Sequence, residues 1–564
     1  MKKVFKKLTT LLLICTLTIY MTAGCKSNET GPTEETAATA AADATAEETA
    51  AGETATGDNA TGGTTGGYTD YSSGFKDNVT IEIPVYDRAF EGWNVTDNYY
   101  TRWIQSQFGD KYNITVKFVA IGRSTEVTDY TQMLAADTAP DIIFHYDMPQ
   151  ILAYYGEGAM QKLDLDEIKF YAPTYWANMG ETNTTYGKVS GDNYFFFADR
   201  PDAYNWLTLI RQDWIDAVGM KMPTCLEEYN ELLKSWKEAG LGNGGGNLVQ
   251  NNFTYDYAFR TWPIDEKERA LYSDLSVPAF TWEPTHQYLK NLNYQCNNGL
   301  VDPEFYLNTD DASTQADFVS GSSGVYALYL SSSSPVIENL LTNDPDAKVS
   351  VLDPKALVPK GDEYKPQGRA YWPFGMIMGI NSTSSPEERA AVWMYLEWMS
   401  NTDNLFFLQN GVEGQNYTLD ESGLAVKKTD FTGESKLSDN NNKDYWCLVT
   451  ESAQYKDEEV NYKANVANWA PAGYEYLIED SYQYYKDNLE YSTPDALYSV
   501  VLESVAEYKS DLNDLWKELY VKCAMSPEAE FEATYKEACQ EFLDAGYQAI
   551  LDEKTKAIEA GNYN

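Results

Sequence analysis

Histidine is nearly absent: His145 and His286 are the only two in 564 residues. With no HExxH and no clustered Cys/His spacing, zinc chemistry has no footing and no metal is expected. Cysteine is sparse and scattered, seven in all. There is no CxxC pair, so neither a disulfide framework nor a redox motif is indicated. Cys225, Cys296, Cys447, Cys523 and Cys539 read as buried small hydrophobes, with Cys523 and Cys539 an alternative pair. Positive charge is short: 42 Lys and Arg face 86 Asp and Glu, for a formal net charge of −44. Such a polyanion repels nucleic acid and anionic lipid, so both are poor partners. A glycine run, Gly242–Gly246, lacks GxxxxGK[ST] and reads as a surface loop rather than a phosphate cradle. No repeat of fixed period is visible, and no cofactor is indicated.

A membrane-spanning run is missing too. The apolar stretch Leu8–Met21 is too short for a transmembrane helix. It follows Lys2, Lys3, Lys6 and Lys7 and precedes Thr22-Ala23-Gly24-Cys25, the order of a secretory signal peptide over residues 1–24. The small residues before Cys25 resemble a bacterial lipobox, with Thr22 where Leu is usual. That resemblance implies acylation of Cys25 after cleavage, with plain secretion as the alternative. Residues 25–75 are mostly Thr, Ala, Glu and Gly. They cannot bury enough apolar surface to offset the entropy of ordering, so a disordered tether is expected. Its root-mean-square reach would be roughly 40 Å.

What the chain has in abundance is aromatic residues: 44 Tyr, 21 Phe and 14 Trp. Most must fill cores, but Tyr and Trp also offer flat faces with polar edges that suit sugar rings. Residues 76–564 suffice for more than one lobe. Alternation in NVTIEIPVY predicts a strand through Val79, Ile81, Ile83 and Val85. Ile114, Val116 and Phe118 predict a second strand, and DIIFHY (141–146) a third. A helix capped by Asp97 and a short helix over 130–136 separate them. This strand–helix alternation predicts a parallel sheet, with ligands at the carboxyl ends of its strands. Thr224 with Glu227, and Ser385 with Glu388, predict capping boxes opening two later helices. The last hundred residues read as helical.

The order and spacing of several stretches resemble a known family. They are YDRAFEGWNVTDNYYTRWIQSQFG (86–109), LAADTAPDIIFHYD (134–147), IRQDWIDAVGMKMPTCLEEYNELLKSW (210–236), GLVDPEF (299–305) and NGVEGQNYTLDESG (410–423). The chain resembles family 1 extracellular solute-binding proteins of bacterial ABC importers, in the large lipoprotein branch associated with oligosaccharide uptake. The resemblance implies a two-lobed α/β fold of periplasmic-binding-protein type, with a hinge, an interlobe cleft and a helix-rich C-terminal part. Lobe 1 would hold about 76–197 and 372–402, and lobe 2 about 202–366 and 410–564. Crossings would then fall near Phe197–Asp202, Pro366–Trp372 and Asn401–Asn410. The implied function is non-enzymatic: a monomer held by lipid on the outer face of a bacterial, Gram-positive type cell membrane captures an oligosaccharide for a permease.

On that frame, loops at strand ends and crossings supply the candidate ligand residues. Arg88 and Trp93 follow the first strand, Arg123 the second, and Tyr146 and Asp147 the third. An Arg–Asp pair there can bind hydroxyls while the aromatics stack, or serve equally as an interlobe salt bridge. Asp199, Arg200 and Trp206 flank the first crossing, and Trp372 the second. Glu413 and Tyr417 lie in a turn-rich loop, and Trp469 is a further aromatic candidate. Asp/Asn-rich residues 438–444 lack EF-hand spacing and read as an exposed loop. Two alternatives stay open: a secreted carbohydrate-active enzyme, for which no strand-end Glu motif speaks, and a receptor for a peptide or another solute.

Overall fold

The computed structural model describes residues 64–564 apart from 66, 202–204, 243–264, 275, 308–310, 362–363, 367, 429, 438–442, 452–454 and 456. The signal peptide, Cys25 and the tether up to residue 63 lie outside the described residues, as do 243–246 and 438–442 of the two loops named above; the end of the expected tether is instead folded, with Phe75 buried in the lobe 1 core and the Tyr68 hydroxyl donating to Asp164 at 2.6 Å.

The alternating strand β1 (Val79–Asp87) pairs in parallel with β2 (Ile114–Gly122) along its whole length, from Val79 against Ile114 to Asp87 against Gly122. The next strand, β3 (Ile142–His145), departs from the expected parallel sheet. It is linked to β1 through Asp141, whose amide donates to the Glu82 carbonyl. The ladder partner of β3 comes from much later in the chain. β4 (Phe196–Asp199) completes the first pass through this lobe. The chain then crosses and builds an antiparallel sheet from β5 (Leu207–Arg211), β6 (Val325–Leu328) and β7 (Val349–Val351), with β5 in the centre. β8 (Gly368–Ala370) leads back to β9 (Phe374–Ile380), which lies antiparallel between β3 and β4. Every residue of β9 is buried, as a central strand covered on both faces requires.

Helix Pro386–Met399 then packs into the first core with the capping box Ser385/Glu388 and Pro386 at its first turn, as the sequence predicts. The other two caps move by one residue. Asn98 rather than Asp97 caps Tyr99–Ile104. Thr224 bonds Glu228 rather than Glu227 ahead of Leu226–Glu238.

The first core joins Ile81, Ile83 and Val85 to Phe196, Phe197, Met376, Trp393 and Leu396, and it also takes in Leu408, Tyr445 and Cys447. The segment after residue 401 therefore stays in lobe 1, through helix Thr402–Asn410 and the hairpin β10 (Tyr417–Leu419) and β11 (Ala425–Lys427). The third crossing falls beyond Val449, not at Asn401–Asn410. The reason is packing: Tyr445 and Cys447 are fully buried beneath β1, so the chain cannot leave before them.

In lobe 2, β5 sends Leu207 and Leu209 to one core and Ile210 to the other, the period-two behaviour of a central strand. β12 (Ser492–Pro494) pairs in parallel with β8. The C-terminal helices Glu503–Ala524, Phe531–Phe542 and Gln548–Glu559 form a third core against Glu283–Asn297. Asn293 ties that interface by donating to the carbonyls of Cys523, Ala524 and Ser526. The five cysteines of the described residues are free thiols, buried or half-buried.

One buried ion pair pins the C-terminal helices to the loop after residue 272. Lys554 Nζ donates to Asp274 Oδ1 at 2.6 Å, and the two side chains are 1% and 2% exposed. Lys554→Met strands the carboxylate in the interior, and the expected loss is about 3–5 kcal/mol. Urea denaturation of the variant beside wild type measures it; an unmoved midpoint would show that the pair holds nothing together.

Candidate functional site

Three chain crossings meet at Asp199. Its amide donates to the Val449 carbonyl at 3.0 Å, and its own carbonyl accepts from the Glu451 amide at 2.8 Å. Asp199 also registers with Phe374 of β9, and the Arg200 amide reaches the Pro373 carbonyl at 3.3 Å. All three connections thus run side by side in one hydrogen-bonded seam. The residues just beyond the seam are Arg200, Tyr371, Trp372 and Glu451.

A group of charged and aromatic side chains gathers beside this seam, at the carboxyl ends of β1, β2 and β3. Arg88 makes a bidentate bond to Asp444, at 2.9 and 3.0 Å, with the Asp444 side chain sealed from solvent. Asp444, not Asp147, is therefore its partner, and the pair lies within lobe 1. Arg123 bonds Glu126 at 3.0 Å and lies over the rings of Tyr86 and Tyr146, 4.9 and 5.6 Å from their centroids. Tyr86 donates its hydroxyl to Glu126 from below. Glu451, beyond the seam, accepts from Lys443 at 2.9 Å and faces Arg200 at 3.9 Å. Gly375 makes room for it, because a Cβ there would collide with the Glu451 side chain.

The aromatic half of the site belongs to the crossings. Arg200 lies 4.0 Å from the centroid of Tyr371, which packs on Trp206 at 4.6 Å, and Trp206 continues to the exposed Tyr329 at 6.2 Å. Trp372 is fixed by its indole N–H, which donates to the Asp495 carbonyl at 2.8 Å, and it packs on Tyr186 and Phe374. Tyr146, Asp147, Arg200, Tyr371 and Trp372 line one small cavity together with Asp274 and Asp495 of lobe 2; its volume is about 40 Å³. The lobes meet here: Leu497 packs into the first core, and Ser190 donates its amide to the Ser499 carbonyl at 3.3 Å.

Five of the twelve sequence candidates thus lie on the seam or its cavity, Tyr146, Asp147, Asp199, Arg200 and Trp372, with Arg123 stacked on Tyr146 and Arg88 paired to Asp444 beside them. Trp206 joins through Tyr371. Trp93 is half-buried against the lobe 1 core beside Tyr100. Glu413 is exposed in the loop before β10, and Tyr417 is buried edge-on to Phe406. Trp469 is 8% exposed inside the lobe 2 core, where its carbonyl accepts from Ser333. Sequence reasoning missed Glu126, Tyr371, Asp444, Glu451 and Asp274. Tyr371 had a visible signal, adjacency to Trp372. Asp444 and Asp274 had none, since their cations lie 356 and 280 residues away.

Burial raises the Glu126 carboxyl to about 7, outweighing the Tyr86 hydrogen bond and Arg123. Burial also drives His145 down to about 4, with Asp147 opposing the shift. Below the unfolded carboxyl range Glu126 is protonated in both states and adds no penalty. As pH rises from about 4.5 to about 7 the native state holds the extra proton, so stability attributable to Glu126 falls. His145 acts oppositely, because the unfolded imidazole binds the proton between about 4 and 6.5, and stability rises there. Glu126→Gln removes the first effect, together with the Glu126 contact to His145 at 3.6 Å. Across pH 4.5–7 wild type should lose up to about 3 kcal/mol relative to that variant. Parallel urea titrations at both pH values check this, and curves that stay parallel refute it.

No family model matches the chain. It is 24% identical over 250 residues to Lipoprotein LipO of Bacillus subtilis (strain 168), covering 41% of this chain and 47% of that protein. It is 22% identical over 327 residues to the polygalacturonan/rhamnogalacturonan-binding protein YtcQ of the same organism, covering 54% and 60%. The chain therefore spans about half to three-fifths of the curated relatives it matches. Among solved structures, the alginate-binding protein AlgQ2 without calcium ion aligns with a TM-score of 0.59 at 15% identity, covering 87% of this chain and all of that one. An extracellular solute-binding protein from Bifidobacterium longum subsp. infantis gives 0.59 at 14%, over 86% and 99%. The substrate-binding protein FusA of S. pneumoniae in complex with kestose gives 0.58 at 13%, over 85% and 99%. The protein has the two-lobed α/β fold seen in these solute-binding proteins.

Proposed function

We propose that the protein is an extracellular, lipid-anchored receptor that captures an oligosaccharide between its lobes and delivers it to an ABC importer permease. The observation that carries this reading is the set of aromatic faces at the crossings, Trp206, Tyr371 and Trp372, beside Asp147, Asp274 and Asp495. Aromatic faces stack on the apolar side of a pyranose or furanose ring, while carboxylates and amides take its hydroxyls. The polygalacturonan, alginate and kestose named for the similar proteins above are all carbohydrates, which supports a glycan over a peptide. On this reading the lobes part and close about the Asp199 seam as ligand is loaded. Ligand touching both lobes then stabilises closure by the difference in contacts between closed and open states.

The leader supplies the address. Acylation of Cys25 would hold the domain outside the membrane on its Thr/Ala/Glu/Gly tether, and the Gram-positive type of envelope suits such an arrangement. Cys25→Ala should move the protein from the membrane fraction to the medium or the soluble fraction. Retention in the membrane would refute the anchor.

Calorimetry of the full chain in detergent, against plant and host oligosaccharides, tests the ligand claim. Saturable binding to one site, with unchanged saccharide recovered afterwards, is the expected result. Trp372→Ala should weaken it at least tenfold, the loss typical of a buried aromatic anchor. Shortened saccharide in the recovered material would make the protein an enzyme, and binding of a peptide in place of sugars would keep only the fold.

A further inference from the structure

We infer that Asn562–Asn564 are positioning residues for the interlobe site: by backbone pairing they brace the segment that forms its lobe 2 wall. The effect on ligand rests on the receptor reading above, whereas the brace itself does not. The wall is Asp495–Leu497, which shares the cavity with Tyr146, Tyr371 and Trp372. Three contacts tie it to the rest of the site. The Asp495 carbonyl accepts the Trp372 indole N–H at 2.8 Å, and Leu497 packs into the lobe 1 core. Two residues on, the Ser499 carbonyl accepts the Ser190 amide at 3.3 Å. Yet the wall belongs to no sheet, because β12 ends at Pro494 and the next helix begins only at Glu503. A buried backbone stretch of this kind keeps its place only where its amides and carbonyls find partners.

The Ala496 amide finds the Ser273 carbonyl at 2.8 Å, and residues 562–564 supply the next partners. The Leu497 amide donates to the Asn564 carbonyl at 3.2 Å, and the Asn564 amide donates back to the Leu497 carbonyl at 2.8 Å. The Ser499 amide donates to the Asn562 carbonyl at 3.1 Å, and Tyr498 faces Tyr563 in antiparallel register. This is a short antiparallel ladder, and its bonds are made by backbone atoms. Residues 562–564 are held in turn by the end of helix Gln548–Glu559. There the Asn562 amide reaches the Ala557 carbonyl at 2.9 Å and the Gly561 amide the Ile558 carbonyl at 3.0 Å. Gly561 sits at φ 73°, the left-handed turn that ends a helix in this way and sends the chain back along residues 497–499. The helix is seated in the third core through Ile550 and Ala557. A continuous path therefore runs from that core through residues 562–564 to Asp495, Trp372 and Ser190.

Two substitutions in the full chain separate backbone from side chain. Asn564→Pro removes the amide that bonds Leu497, and Asn564→Ala keeps it. Amide hydrogen exchange, read residue by residue by mass spectrometry, should run about tenfold faster or more at Leu497, Ser499 and Ser190 in Asn564→Pro, with Asn564→Ala matching wild type. A Ser190 amide that keeps its wild-type rate while Leu497 and Ser499 speed up confines the effect to lobe 2 and overturns the inference. Identical behaviour of the two variants overturns it as well, since only one of them lacks the amide. Should Asn564→Pro not fold, wild type decides: the Leu497, Ser499, Asn564 and Ser190 amides should be protected to within about tenfold of one another, and a Ser190 value outside that range refutes the coupling. Calorimetry then joins the brace to the site, with kestose, an alginate oligomer and an oligogalacturonide as probes. Whichever binds wild type should bind Asn564→Pro about tenfold more weakly or worse, and Asn564→Ala equally, because Trp372 loses its fixed acceptor and with it the preorganised site. Undiminished affinity in Asn564→Pro removes these residues from recognition. Binding of no saccharide to wild type overturns the receptor reading instead, and the exchange measurement still decides the brace.

Discussion

Two backbone hydrogen bonds made by Asp199 organise the molecule. One residue carries an amide and a carbonyl, and here they bind the two sides of the third crossing while Arg200 binds the second. Three covalent connections held in one strand-like seam resist twisting independently, so the lobes have one shared axis about which to open. The seam also dictates where chemistry lies. The residues that follow it on the first two crossings, Arg200, Tyr371 and Trp372, line the interlobe space, and Glu451 on the third sits behind them against Arg200. A hinge and a ligand platform are thereby the same piece of backbone, and ligand contact reports directly on lobe angle.

Around that seam the protein manages a charge problem created by its own composition. A chain of net charge −44 has few cations to place, and several are committed to buried or half-buried carboxylates near the cleft. Such pairs add little net stability, because desolvation offsets the attraction, but breaking one is costly. Their effect is geometric. Arg88, locked by Asp444, fixes the loop after β1 against the segment that precedes the third crossing, although 356 residues separate the two. Arg123, layered on Tyr86 and Tyr146, fixes the loop after β2 against the end of β3. The strand ends are rigid before any ligand arrives.

How much of this was legible follows from the range of the interactions. Local signals were reliable: period-two alternation placed β1, β2 and β3, and the Ser385/Glu388 box placed the start of its helix. Side chains at the ends of parallel strands were legible by rule, which is why Arg88, Arg123 and Tyr146 were named. Asp444, the partner of Arg88, was not, because pairing over hundreds of residues leaves no local mark. Asp444 sat inside what read as an exposed Asn-rich loop, yet its side chain is fully buried. The same limit explains β3, whose antiparallel neighbour β9 arrives after an entire second lobe has been built. It also explains the third crossing, since nothing local in residues 401–410 says that Tyr445 and Cys447 must still return to the first core. Trp469 and Tyr417 illustrate the converse: aromatic residues in promising loops were buried in cores, and composition cannot distinguish packing from presentation.

The contacts between the lobes have a consequence for affinity. In the described conformation Trp372 is bound to the Asp495 carbonyl, and Leu497 is seated in the lobe 1 core. These contacts hold the lobes together in the described conformation. A receptor poised this way binds its ligand with an apparent affinity reduced by the fraction of time spent open. The opposing term is that the closed site is preorganised, with Trp372, Tyr371 and Arg200 already held by neighbours, so few side chains lose freedom on binding. Which term dominates depends on how many lobe–lobe contacts survive in the loaded state. The Leu497 contact lies beside the cavity and need not be lost to a ring seated at Trp372. The cavity itself must widen, and the widening is set by rotation about the Asp199 seam. A ligand long enough to reach both Trp206 and Asp274 would gain contacts on each lobe as it pays for that rotation. A single ring could reach only one set. On the proposed function, a ligand that spans both sets is the one that couples to rotation about the seam.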